Sequence, residues 1–526
     1  MRGLLSRGEM LLGIAYAAVG FAILAALLAS GNTLTGGENA VAADQLQYLS
    51  WVVSASHNWT IDSLWTIPPQ EGSAFFHLGF LTSGLLHKAG LGVIASYQVW
   101  KPVSIAVIFI AFLLYVRRLL PAGGQRTAAL ALGLFGLSPA GAIIGFNQLA
   151  TERGLQSDLE FAAGELFAPS WQWGYMMTAI AVGLMVLGLL VAERALRAEK
   201  PAGRIVAASA IALFCSWLQP WQGAELLGAI VICDLVAPGR IGRWAALRRH
   251  LPVFAAAVIP LVYYRWLEGT DDVWNIAGEA NNGIALWSPW VWILTLGVYL
   301  PALPVWLSKP RDWQQTALRA VPALMLAQYS FIAIAEVGTF PFHAIQGMGL
   351  FLGIMLVQGM LRIRPAEWWG GRVPLAVGLC ALLCVPGTLH RINLMRLDIQ
   401  RSAQPYFLED GEDGALERIR SAPGSGGVLA PIKTALSVPS HTERPVWVGQ
   451  ISWTPDFRER VAAAENLFNG KLSPAEARLL VDGSGARFLL SDCGHRADLR
   501  PVLGARVVTF KRYGCAAIYE LRGGWR

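Results

Sequence analysis

A small set of polar residues in this chain has the types and settings to do chemistry. Arg265, in VYYRWLEGTDD, reads either as a phosphate ligand or as an interfacial anchor beside Tyr263 and Tyr264. His343 follows Pro341 at a helix entrance, with Gln346 close behind. Unpaired backbone N–H groups at such an entrance favour an anion, and a cap is the plainer role for the ring. Trp217, Gln219, Trp221 and Gln222 crowd around Pro220, as a sugar- or lipid-binding platform or as an aromatic belt with a turn. Asp44 opens an amphipathic stretch that ends at His57 and Asn58. Taken alone, an acid there stabilises a helix dipole. The chemistry on offer is recognition of an anionic headgroup and of a sugar or lipid.

The elements that must position these residues are apolar. The 526 residues are 54% hydrophobic and 15% charged, with mean hydropathy +0.45. Soluble domains carry about 25% charged residues, so the chain is an integral membrane protein. A span needs about 20 apolar residues, which gives roughly eleven candidates, near 10–29, 98–116, 127–145, 173–192, 204–220, 223–238, 251–267, 288–306, 320–337, 342–361 and 373–388. Every second connector is basic: Arg117, Arg118 and Arg126; Arg194, Arg197 and Lys200; Arg240 to His250; Lys309 to Arg319; Arg362 to Arg372. Cytoplasmic loops retain Lys and Arg, so the N-terminus with Arg2 and Arg7 is expected inside. An odd number of spans then sends the C-terminus out, and the polar residues named above share the outer face. The cell (inner) membrane is the expected location.

The net charge of +7 is dispersed over these loops and is not a nucleic-acid signal. No P-loop and no strand-flanked GxGxxG occurs. Acids and bases sit near span ends, which weakens a proton-coupled transporter, since that needs ionisable groups at mid-depth.

The expected fold is an all-α polytopic membrane domain over 1–389, followed by a small α/β extracytoplasmic domain over 390–526. The first outer connector, 30–97, is far longer than an ordinary loop. It contains an amphipathic helix from Asp44 to Trp59, with Leu46, Leu49, Val52 and Val53 apolar. After Pro68 and Pro69, SAFFHLGFLTSGLLHKAG is apolar but short and carries His77, His87 and Lys88, so it reads as an interfacial helix. Further outer loops run over 146–171, with Glu152, Arg153, Asp158, Glu160 and Glu165, and over 217–223, 265–283 and 336–347. In the tail, GGVLAPI, RPVWVGQ and ARFLLSD read as strands, and 506–522 as a hairpin. FRERVAAAENLFNG and SPAEARLLVDG read as helices, the second capped by Ser473. Cys215, Cys233, Cys380 and Cys384 lie in or beside spans as small hydrophobes. Cys493 and Cys515 lie in the tail, in an oxidising compartment, where a disulfide between them is expected.

The topology resembles the polytopic glycosyltransferases of the GT-C fold, which include protein O-mannosyltransferases and aminoarabinose transferases. Their long helical first outer loop carries an acid soon after span one. ENAVAADQLQYLSW is similar, with Asp44 at the acidic position and Tyr48 one turn later. Pro68 and Pro69, the FFHLGFLTSGLLHKAG helix, YVRRLLPAG and LFGLSPAGA follow in the family's order. The segment from WTPDFRER to RFLLSD resembles the tails of bacterial members. The chain lacks an adjacent acid pair after span one and the WWDYG-type motif of oligosaccharyltransferases, which speaks against that activity.

The resemblance implies inverting transfer of a sugar from a polyprenyl-phosphate-linked donor to an extracytoplasmic glycan, lipid or protein acceptor. Asp44 is then the general base. Arg265, His343 and Lys101 are the cations for the departing phosphate. Tyr48, His57, Trp217, Gln219, Trp221, Gln222 and Gln346 make up the substrate-binding set. Arg153, with Asp158 and Glu160, organises the second loop or helps hold a divalent cation, magnesium or manganese; no cofactor is certain. Two other classes stay open. One is a transporter or flippase of a lipid-linked or amphipathic substrate. The other is a non-catalytic scaffold whose outer domain binds cell-wall partners.

Overall fold

The computed structural model describes residues 5–523, apart from 39–41, 122, 137–157, 160–161, 163, 167, 282–285, 337–339 and most of 364–404. In chain order the main helices are α1 (Arg7–Ala29), α2 (Ala42–His57), α3 (Leu78–Lys88), α4 (Val93–Gln98), α5 (Trp100–Leu119) and α6 (Gly124–Phe135). There follow α7 (Met176–Arg197), α8 (Ala202–Leu218), α9 (Pro220–Val236), α10 (Arg243–Thr270), α11 (Asp272–Asn281), α12 (Pro289–Leu296), α13 (Trp313–Ala335) and α14 (Met348–Ile363). The tail adds α15 (Asp410–Arg420), α16 (Phe457–Phe468) and α17 (Pro474–Ser484), with strands β1 (Gly427–Leu429), β2 (Ala486–Ser491), β3 (Val507–Tyr513) and β4 (Ala516–Leu521).

Seven helical stretches among the described residues are long and apolar enough to span a bilayer: Arg7–Ala29, Val93–Leu119, Met176–Arg197, Arg243–Thr270, Pro289–Trp306, Trp313–Ala335 and Pro341–Ile363. The expected spans near 204–220 and 223–238 are α8 and α9, of 17 residues each. The expected span at 373–388 and the second half of that at 127–145 fall outside the described residues, as do Cys380 and Cys384.

The chain forms two compact units. The first comprises Met1–Ala22, Trp100–Arg265 and Gly283–Leu394. Its helix ends sort by charge. Arg117 at the end of α5 pairs with Glu9 at the start of α1, at 2.6 Å. Arg118 bridges Glu193 at the end of α7 (2.6 Å) and Asp312 before α13 (3.0 Å). Asp312 also caps α13 by accepting from Gln315 N. Asp234 near the end of α9 meets His250 of α10 at 2.6 Å and accepts from Trp313 Nε1 at 3.0 Å. The ends bearing the basic connectors therefore lie together in this unit. Between the two sets of ends runs one core of Leu, Ile, Val, Met and Ala from α5–α10, α13 and α14. Gly183 lets α7 approach α5 closely, since a Cβ there would lie 3.2 Å from the Ile108 Cα.

The second unit gathers Ile23–Val99, Trp266–Asn282 and Met395–Arg526. Its sheet has the order β1-β2-β4-β3, with β1 parallel to β2 and the other pairs antiparallel. The first outer connector belongs to the same unit: Thr35 N donates to Tyr406 O, and Val446 N to Leu64 O. Buried Arg444 donates to the carbonyls of Ile419, Ala422 and Gly426. Cys493 and Cys515 are disulfide-linked, tying the turn after β2 to the β3–β4 turn.

Two sequence readings change. RPVWVGQ is not a strand; it contributes one parallel bridge, Val446 to Val428. Pro445 removes a backbone donor just where a ladder would extend. The stretch 265–283, read as a loop, is helical up to Asn281 apart from a break at Asp271. The Asp271 carboxylate makes the break, accepting from Val273 N and Trp274 N through Oδ1 as the cap of α11. Its other oxygen accepts from Ser73 Oγ and Ala74 N, at 2.8 and 2.9 Å.

At 11 residues, about 16 Å, α3 is too short to cross a bilayer. It packs on α2 where Gly84 meets the Ala55 backbone, and a Cβ there would lie 2.5 Å from Ala55 C. Because backbone cannot give way as a flexible side chain can, Gly84→Ala is expected to cost about 1–3 kcal/mol. Thermal unfolding of the purified protein reads this, against Gly203→Ala, where no atom lies within 4 Å. A second expectation concerns His495, whose ring meets Asp492 at 2.6 Å and Glu465 of α16 at 2.9 Å. Burial pulls its pKa down, but the two carboxylates outweigh that and hold it above the ordinary value. A raised histidine pKa stabilises the fold fully below the unfolded value of about 6.5, and that contribution fades as pH rises through the folded value. Wild type is therefore expected to lose more thermal stability between pH 6 and pH 8 than His495→Gln.

Candidate functional site

In the second unit, α2 presents Asp44, Tyr48 and Trp51 at i, i+4 and i+7, one face of a helix. Asp44 sits in the first turn and is half-buried. Its Oδ1 accepts from Gln450 Nε2 at 2.9 Å. The Gln450 amide is itself oriented, because its Oε1 accepts from Ser452 N at 2.6 Å. Nearby along the chain, buried Glu38 accepts from Gln98 Nε2 at 3.0 Å, and Glu38 N donates to Gln45 Oε1 at 2.6 Å.

The rest of that face is aromatic. Tyr48 contacts Trp51, Phe80 and Tyr97, with ring centroids 5.4–6.0 Å apart. Trp51 meets Phe75 and Phe80 edge-on, and also Trp453, at 5.2 Å. Trp274 of α11 closes the group against Phe75 and Trp453. Edge-to-face packing of this kind fixes ring orientation as well as burying area. The arrangement holds one carboxylate in a set direction beside rigid rings. His57, at the far end of α2, is 60% exposed and faces Glu443.

In the first unit a second polar cluster lies where α7, α9 and the turn before α14 begin. His343 falls within the short 3-10 turn Pro341–Ile345, followed by Gln346 and then α14. The entrance to the Pro341–Ile363 stretch at which it stands is thus a 3-10 turn, which precedes the α-helical part beginning at Met348. Gln346 Nε2 contacts Glu165 Oε2 at 2.5 Å and His343 Nδ1 at 3.1 Å. Trp221 and Phe340 each pack against the His343 ring at 5.0 Å. Gln222 Nε2 donates to His343 O, and Gln219 Nε2 to Thr178 Oγ1. Trp217 stacks on Tyr263, and its carbonyl accepts from Tyr264 OH at 2.7 Å. Arg265, next along α10, is exposed.

Lys101 is fully buried, and its Nζ donates to the carbonyls of Gly20 and Gln172. Gln172 also accepts from Ser104 Oγ and donates to Tyr16 OH, so this lysine belongs to a strut between α1, α5 and the residues leading into α7. Of the second-loop set, Asp158 is half-buried, and burial pushes its carboxyl up, with the Trp287 indole pulling the other way. Arg153 and Glu160 lie outside the described residues. Trp221, Gln222, His343 and Gln346 therefore form one cluster in the first unit, and Asp44 and Tyr48 share a face of α2 in the second.

Sequence reasoning missed Gln450, Trp453, Asp271 and the role of Glu165. Gln450, Trp453 and Glu165 meet the cluster residues only through long-range contact, whereas Asp271 caps α11 locally and reaches Ser73 and Ala74 through the fold. Among the described residues, the metal-type group with all ligand atoms within 4.8 Å is Glu409, Cys493 and Cys515. Two of its atoms are spent on the disulfide.

One buried group stands apart. Among the described residues, neither carboxyl oxygen of Glu225 on α9 has a hydrogen-bond partner, and the same is true of Ser216 Oγ and Gln222 Oε1. An unpaired buried polar group costs about 1–3 kcal/mol. Glu225→Met, which keeps shape and removes both oxygens, is expected to raise stability by up to about that amount in thermal unfolding of the purified protein.

No family model and no curated protein matches this chain. Solved structures do. ArnT from Cupriavidus metallidurans bound to undecaprenyl phosphate aligns with TM-score 0.54 and 13% identity, over 98% of this chain and 98% of that one. The same protein in the apo state gives TM-score 0.53 and 13% identity, over 97% of each chain. The Archaeoglobus fulgidus oligosaccharyltransferase in its apo form gives TM-score 0.50 and 10% identity, over 95% of this chain and 73% of that one. At such identity the likeness is one of fold: this is a polytopic membrane protein with the GT-C fold, carrying a small C-terminal sheet.

Proposed function

We propose that this chain is a membrane glycosyltransferase that moves a sugar from a polyprenyl-phosphate-linked donor to an extracytoplasmic acceptor, with inversion. ArnT, which shares its fold over nearly the whole length, is solved with undecaprenyl phosphate bound. The observation that carries the reading is Asp44, a half-buried carboxylate aimed by an oriented amide and flanked by rigid aromatic rings.

Asp44 takes the proton of an acceptor hydroxyl. The hydroxyl oxygen bonds to the anomeric carbon as the bond from that carbon to the phosphate oxygen breaks. Its electron pair leaves with the polyprenyl phosphate. An ionised carboxylate has about four lone-pair sites, of which the hydrogen bond from Gln450 takes one, and a carboxylate is a competent general base. Gln450 acts through Asp44 as a positioning residue. For the leaving phosphate we assign Arg265, which is exposed, and His343. Lys101 is left out of that set because its ammonium is committed to two backbone carbonyls. Trp217, Trp221, Gln222 and Gln346 are assigned to the donor side, and Tyr48 to the acceptor side. The orientation that goes with this reading has the N-terminus cytoplasmic and the residues after 390 extracytoplasmic, in the cell membrane.

The test is transfer of labelled sugar from a polyprenyl-phosphate donor by membranes carrying wild type or Asp44→Asn. Loss of a general base typically lowers the rate about 10²–10⁴-fold, and a fall in that range is expected. Equal turnover removes Asp44 as the base. Movement of the donor across proteoliposome membranes without covalent product removes the transferase reading itself.

A further inference from the structure

One buried ring in the second unit has no role so far. Trp65, in the first outer connector, is fully buried. Its Nε1 donates to Gln47 Oε1. An indole N–H can only donate, so this contact also settles which way round the Gln47 amide lies. Among the described residues Gln47 Nε2 then has no partner. A link that leaves a buried donor unpaired adds little to stability, so its value lies elsewhere.

The other contact of the ring supplies that value. Gly449 lies flat against it, and a Cβ there would overlap Cδ2, Cε3 and Cζ3 of the indole. The next residue is Gln450, whose Nε2 donates to Asp44 Oδ1. The chain is held on both sides of this pair. Val446 N donates to Leu64 O, one residue before Trp65, at 2.8 Å, and Gly449 N donates to Thr454 Oγ1 at 3.0 Å. Trp453 N donates to Gln450 O at 3.1 Å, and the Trp453 ring meets Trp51 on the Asp44 face.

These contacts close a frame. Asp44 and Gln47 stand one turn apart on α2. Asp44 meets Gln450, Gln47 holds Trp65, and Trp65 supports Gly449 beside Gln450. We propose that Trp65 is a positioning residue for sugar transfer, setting through Gly449 where Gln450 meets the Asp44 carboxylate. The proposal rests on the reading of Asp44 as the general base. A smaller ring, or one free to turn, lets residues 449–453 shift, and the carboxylate loses its set direction. A misplacement of about 1 Å can lower a rate about 10²-fold. The indole is enclosed and touches no substrate, so the loss falls on kcat and not on KM.

The experiment uses membranes carrying the full-length protein. The donor is undecaprenyl phosphate bearing labelled glucose, mannose or aminoarabinose, whichever wild type transfers. Trp65→Phe is expected to lower kcat about tenfold to a hundredfold, with KM for the donor within about twofold of wild type. Gln450→Met is expected to lower kcat in the same way. The two combined are expected to be no slower than Gln450→Met alone by more than about twofold, because both act through one hydrogen bond. A loss in the double variant equal to the product of the single losses overturns the proposal, as does wild-type kcat in Trp65→Phe. Hydrogen exchange of the purified full-length protein needs no substrate. Trp65→Phe is expected to speed exchange across 449–454 and to leave α14 unchanged. Wild-type exchange across 449–454 overturns the frame whatever the transfer assay gives, whereas no transfer by wild type removes the transferase reading and not the frame. If Trp65→Phe does not fold, Gln47→Met, which keeps the ring and removes its acceptor, is put through the same comparisons with the same outcomes expected.

Discussion

The fold rests on the cost of placing charge in hydrocarbon. A cation or anion at mid-span costs about 2.5–3.5 kcal/mol on insertion scales, so charged residues collect at helix ends. There they meet ends that other helices bring to the same depth. Arg118 shows the outcome, since one guanidinium holds Glu193 and Asp312 from two other helices. The bundle is thus registered by its ends, and its middle needs only volume and small residues for close approach.

The same constraint explains what could be read from the chain alone. Apolar run length and the alternation of basic connectors located the helices, because both follow from local composition. The tail was legible where its signals were local. The cap at Ser473 and the short apolar runs of the almost fully buried strands β2 and β4 are examples. RPVWVGQ failed because its apolar pattern fits a strand while Pro445 and a single bridge leave it in a connecting segment. The stretch around Asp271 failed for the opposite reason. Its Asp, Gly and Asn residues mimic a loop, yet the Asp is a cap that stitches two helices together.

The candidate site was legible by residue type and not by partnership. Asp44 and Tyr48 could be picked from a helical face. Nothing near them in sequence announced Gln450, more than 400 residues away, whose amide sets the carboxylate's direction. Likewise Gln346 and His343 could be named together, but Glu165 joins them only through the fold. Lys101 is the instructive case: a lysine at the head of an apolar helix invites an anion, yet three-dimensional contact gives it carbonyls instead. Charge and position along a chain nominate a residue; the competition for its hydrogen bonds decides its work.

The unit that contains Asp44 is assembled from stretches at opposite ends of the translation product, 23–99 and 395–526, with 266–282 between. The carboxylate leaves the ribosome early, and Gln450, Ser452 and Trp453 leave it late. Synthesis runs at roughly 5–20 residues per second, so about 20–80 seconds pass during which the helices after α4 enter the bilayer while α2 lacks the neighbours that orient it. Membrane insertion of the bundle and maturation of this unit are therefore separate events in time. The nascent protein completes its Asp44 setting only when nearly all of it has been made, and a ribosome that stalls before residue 450 leaves behind an inserted but unfinished molecule.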